Sequence, residues 1–130
     1  MLKTEMITSL KPILKEKNFK KIRNYWYKEQ NGMTFYLNIQ GSAYDTNDFY
    51  VNLGIVFSLT DKKVPPTYDW DIFRRAFVDN KELNLDLEDI LLILDAFFRL
   101  FPTIEDAQTF VQNQKNKYEY IVISEHYKLI

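Results

Sequence analysis

The sequence contains no cysteine, which excludes disulfide scaffolds, thiol catalysis and cysteine-based zinc sites. A single histidine, His126, rules out histidine-rich metal centres and leaves one candidate imidazole base. Only 3 glycines and 4 prolines among 130 residues argue against disorder, collagen-like repeats and linker-rich arrays. No run approaches the ~18 uninterrupted apolar residues of a membrane span. The longest candidate, residues 90–101, is broken by Asp95 and Arg99. The opening residues Met1 to Met6 lack the apolar run and cleavage site of a secretory signal, and no cysteine is present. Together these absences lead us to expect a cytoplasmic protein.

What the chain does hold is core material: 46% apolar residues and 16% aromatic, enough for a single domain spanning 1–130. The net charge of −1 hides an uneven distribution. Residues 1–28 carry 8 Lys/Arg against 2 Asp/Glu, whereas residues 61–110 carry 6 against 11. Such asymmetry provides one basic and one acidic surface, a footprint for a charged partner.

Helical periodicity comes first. Leu2, Met6, Leu10, Ile13 and Leu14 mark an amphipathic helix over about 4–17. Pro12 should kink it or leave Ser9 to cap a second helix, and Asn18 is a left-handed stop. From Phe19 the period becomes two. Strands are expected at Phe19–Glu29 and Met33–Ser42, flanking the hairpin signal Asn31-Gly32, and at Phe49–Ser58 after the turn formers 44–48. Phe35, Leu37 and Ile39, with Phe49, Val51, Leu53, Ile55 and Phe57, face the core.

Asp69 or Asp71 is then expected to cap a short helix to Val78, and 83–85 a brief strand. Asp86 starts the strongest helix, ending near Phe101 before Pro102, and apolar enough all round to be contacted on several sides. Thr103 with Asp106 caps a last helix to about Gln114, and 118–124 reads as a strand that, at an edge, could pair between chains. The fold class is therefore α+β: an N-terminal helix, an antiparallel meander of three to five strands, then two to three helices packed on one face.

No catalytic constellation emerges. His126 has no second histidine, cysteine or suitably spaced nucleophile beside it. Asp69 with Asp71, and Asp86 with Glu88 and Asp89, could hold magnesium, but acids in a first helical turn are what the helix dipole favours. Residues 45–48 lack the central glycine and downstream glutamate of a calcium loop. Gly32, Gly41 and Gly54 are isolated, so no phosphate-binding loop exists. Neither metal nor cofactor is implied, and no enzymatic activity is expected.

One constellation remains: the non-core face of the meander, with Lys21, Arg23, Tyr25, Tyr27, Tyr36, Asn38, Gln40, Tyr50 and Asn52. Tyr and Arg are residues of protein-binding hot spots. Aromatic rings and cations can also stack on bases and meet phosphates. Alternatively, the helices or the tail simply cover this face.

The stretch from Leu10 through Asn18-Phe19-Lys20-Lys21 resembles the start of a family of small bacterial domains of unknown function. In those domains a helix ends in a Gly-Phe-Lys-Lys-like step before an aromatic strand, here Tyr25-Trp26-Tyr27, with Asn18 standing for the glycine. Asn38-Ile39-Gln40-Gly41-Ser42 is similar to the family's Asn-x-Gln-x-Ser strand, and Asn52-Leu53-Gly54-Ile55 to its Asn-Leu-Gly-Ile strand. The match covers about 6–110. The resemblance implies an α+β domain without assigned catalytic residues. Its association with toxin–immunity and phage-defence neighbourhoods implies a non-catalytic protein binder, an immunity-type inhibitor that occludes a bacterial toxin. Binding of single-stranded nucleic acid on the same face is the alternative.

Overall fold

A computed structural model describes residues 3–41, 49–57, 64–65, 70–78 and 86–114, with backbone alone at 76–78 and 114. Helix α1 (Lys3–Glu16) leads into β1 (Lys20–Ile22), β2 (Tyr25–Gln30), β3 (Met33–Gly41), β4 (Phe49–Val56) and β5 (Ile72–Val78). Helices α2 (Leu87–Arg99) and α3 (Ile104–Gln114) follow. The five strands form one antiparallel sheet in sequence order, β1-β2-β3-β4-β5. The fold is α+β.

Helix α1 is a single element with Pro12 inside it, on an exposed position. It ends as Asn18 suggested. Asn18 has φ 70°, its N–H donates to the Lys15 carbonyl at 3.0 Å, and the Phe19 N–H reaches back to Leu14 at 2.9 Å. These two bonds satisfy carbonyls left over at the helix end and turn the chain into β1. Asn31 and Gly32 have φ 54° and 79°, so the β2–β3 hairpin closes through a two-residue turn with both central residues left-handed.

Two strand assignments differ from the sequence reading. The expected first strand is a hairpin of its own, because Arg23 (φ 54°) and Asn24 turn the chain and pair Ile22 with Tyr25. The turn resets the alternation: Lys21 lies opposite Trp26 on the core side, and Ile22 opposite Tyr25. The segment expected to be a short helix after Asp71 is β5, paired along β4 from Phe49↔Val78 to Ile55↔Ile72. The free edge of β4 supplies backbone partners that a seven-residue amphipathic helix would forgo.

The core fills the space between one sheet face and the helices. Met6, Leu10 and Leu14 of α1 and Ile90, Leu94 and Phe97 of α2 meet Trp26, Leu37, Leu53 and Ile55 of the sheet. Each such side chain contributes about 1.5–3 kcal/mol by leaving water. Arg74, opposite Leu53, is the fully buried exception on that face and has interaction partners of its own. Asp86 and Asp89 form a reciprocal capping box on α2, with bonds of 2.9 and 3.0 Å, so these acids cap as expected. Thr103 Oγ1 accepts from the Asp106 N–H at the start of α3. Helix α2 is less enclosed than its composition suggested, for Leu92 is 68% exposed. Among the described residues, no helix is long and apolar enough to cross a membrane. The turn at 44–48, Asp69, the strands expected at 83–85 and 118–124, and His126 lie outside the described residues.

Candidate binding face

The helices cover one face of the sheet, and the register fixes what stands on the other. Directly opposed residues share a face, so Tyr25, Asn38, Asn52 and Arg75 form one cross-strand row. Tyr27, Tyr36, Gly54 and Phe73 form the next, and Gln40 stands opposite Tyr50. Seven of the nine residues expected on this face are there; Lys21 is not, because it stands opposite Trp26 on the core side. Nor is Arg23: it occupies the exposed β1–β2 turn, because the strand it was assigned to ends at Ile22.

The face divides into an aromatic and a polar half. In the aromatic half, Trp70 folds back from before β5 and stacks on Tyr36, with centroids 5.3 Å apart and planes 12° apart. Tyr25 meets the same indole edge-on at 6.2 Å, and Phe73 lies 6.0 Å away. The Trp70 Nε1–H donates to the Pro65 carbonyl at 3.0 Å, which satisfies the indole's polar atom. This cluster leaves Tyr36 only 4% exposed. Burial pushes the Tyr36 phenol pKa up from its ordinary value, and Glu29 and Tyr27 add to the shift. Nearby, Asp71 accepts the Phe57 N–H at 2.7 Å; it secures the end of β4 instead of capping a helix.

In the polar half, Asn52 is the hub and is fully buried. Its Nδ2 donates to Asn38 Oδ1 at 2.7 Å and to Gln40 Oε1 at 2.9 Å. Its Oδ1 accepts from Arg75 Nε at 2.9 Å, and Arg75 Nη2 also donates to Gln40 Oε1 at 3.1 Å. A guanidinium only donates, so it fixes the orientation of the Asn52 amide, and every polar atom of that amide is satisfied. The guanidinium also lies 4.6 Å from the Tyr50 ring centroid and 5.6 Å from that of Phe73.

Arg75 is thus held by neutral groups on several sides. Two of its five N–H groups are used within the network. Among the described residues, no carboxylate pairs with it. Sequence reading missed Arg75, Trp70 and Phe73, since 71–78 reads as a helical repeat when Arg74 occupies a core position. The alternation of Phe73 and Arg75 was the available signal.

The Asn-x-Gln stretch of β3 and the Asn-Leu-Gly stretch of β4 therefore meet in one place. Asn38 and Gln40 bind Asn52, while Gly54 seats Trp70. A family model described as "Domain of unknown function (DUF4304)" matches residues 10–91, which include α1 from Leu10 onward, all five strands and the start of α2. The chain belongs to this family. No curated protein and no solved structure matches it. The described DUF4304 segment holds the whole amide network and the Trp70 cluster. Among the described residues, no group of three or more His, Asp or Glu side chains is arranged to hold a metal ion.

Proposed function

We propose that this DUF4304 domain is a non-catalytic protein-binding module whose recognition centre is Arg75 with Tyr50 and Gln40. The observation that carries the reading is the Arg75 guanidinium, with which no carboxylate among the described residues pairs. It is rigidified by two amide acceptors and two rings, so little side-chain freedom is lost when a partner docks. Arg and Tyr in a preorganised, partly desolvated setting are the residues from which interface hot spots are built. This guanidinium charge selects a partner that presents carboxylates, through charge-assisted hydrogen bonds. Binding of this kind acts by steric occlusion. A bacterial toxin is the partner class that the sequence resemblance implied, which makes this an immunity-type inhibitor.

The nucleic-acid alternative draws less support from the same face. A base needs an accessible ring, and Tyr36 is buried with Trp70 stacked on it.

The test is affinity capture by the tagged protein from lysate of its own source, using the parent and Arg75→Glu side by side. One stoichiometric protein retained by the parent through nuclease and moderate salt, and lost with Arg75→Glu, is the expected result. Retention of nucleic acid alone, released as salt rises, overturns the proposal. So does a purified sample with catalytic activity that one carboxylate substitution abolishes.

A further inference from the structure

Among the described residues, the large hydrophobic side chains left exposed are Leu92, at 68%, and Leu100, at 49%. Both belong to α2, on the side opposite the buried Ile90, Leu94 and Phe97, with Leu100 as its C-cap. Glu88, Ala96 and Arg99 are exposed as well. At 3.6 residues per turn, Glu88, Leu92, Ala96 and Arg99 fall within about 80° of arc and form one stripe along the helix. Its charge changes sign from end to end, with Glu88 in the first turn and Arg99 in the last. Among the described residues neither of these two has an ion-pair partner. Asp89, by contrast, is engaged in the N-terminal cap.

We propose that this stripe is a self-association surface, on which α2 of a second copy of the chain packs antiparallel. One register satisfies both size and charge. Setting Leu92 of one copy over Ala96 of the other brings Glu88 of the first beside Arg99 and Leu100 of the second. The twofold axis then repeats every contact. A large side chain over a small one lets the two helices approach and interdigitate. A parallel pair would set Glu88 against Glu88 and Arg99 against Arg99, so charge selects the antiparallel arrangement. One helical stripe buries less than the ~1,200 Å² at which stable interfaces begin, so the dimer is weak and concentration-dependent. The contact lies on the helix side of the sheet and leaves the Arg75 face open to its own partner.

The experiment is sedimentation equilibrium of the full chain from micromolar to millimolar concentration. A monomer–dimer equilibrium with a dissociation constant in the upper micromolar range is expected. Leu92→Gln should weaken it about tenfold. The same variant should keep the unfolding midpoint of the dilute chain, because Leu92 is already exposed there. Glu88→Arg should also weaken association about tenfold, by facing Arg99 of the second copy with a like charge. Adding Arg99→Glu to Glu88→Arg should restore it to within about threefold of the parent. Each exchange opposes the helix dipole, so regained association cannot come from a more stable helix. A monomer at every concentration, association indifferent to Leu92→Gln, or a double variant no better than Glu88→Arg alone would each overturn the proposal. These readouts do not depend on Arg75 or on any other protein.

Discussion

Trp70 lies so close over Gly54 that a Cβ on residue 54 would sit 1.9 Å from the indole Cε3 and 2.5 Å from Cδ2. The glycine of β4 is the floor on which the indole rests, and the indole in turn covers Tyr36. Nothing about backbone dihedrals demands glycine there; the close approach does.

Gly54→Ala therefore displaces Trp70 and is expected to destabilise the domain by about 1–3 kcal/mol. Chemical denaturation measures this. The decisive comparison is the double variant with Trp70→Leu, in which the alanine should cost much less, since the ring it strikes is gone. Equal costs in both backgrounds would mean the contact is not the cause.

Asn52→Ala removes the hub of the amide network and leaves buried Asn38 and the Arg75 Nε without their partner. The expected loss is about 1–3 kcal/mol, seen as a lower denaturation midpoint. Partner capture should fall as well, because Arg75 is no longer held.

Tyr36 gives an alkaline signature. Its folded pKa is raised by burial, so above the ordinary phenol range the unfolded chain loses this proton before the folded one does. The unfolded state then binds fewer protons, and stability falls as pH rises beyond about 10. Tyr36→Phe should flatten that fall, as followed by denaturation midpoints across alkaline pH; an unchanged slope would place its origin elsewhere.

Asn18 ends α1 with φ 70°. Asn18→Ala places a Cβ in the left-handed region at a cost of about 1–2 kcal/mol, while Asn18→Gly should stay within about 0.5 kcal/mol of the parent. Thermal unfolding of the two variants separates them.

Local rules alone determined much of this protein. Asn31-Gly32, the alternation from Met33 to Val56, and the capping acids at Asp86 and Asp89 specify a meander and helix starts through contacts a few residues apart, so they are readable from the chain. The polar composition of one sheet face was readable in the same way. Tertiary structure decided the rest. Residues 72–78 became a strand because β4 had an unpaired edge, which no window of sequence contains. Arg23 left the face because a turn at 23–24 reset the alternation. The candidate site itself needed three distant segments: Asn38 with Gln40, Asn52, and Arg75 come together only when β3, β4 and β5 pair in register. A guanidinium's environment is a property of that register: the alternation of Phe73 and Arg75 marks a strand face, and only the pairing of β3, β4 and β5 brings the amides to it.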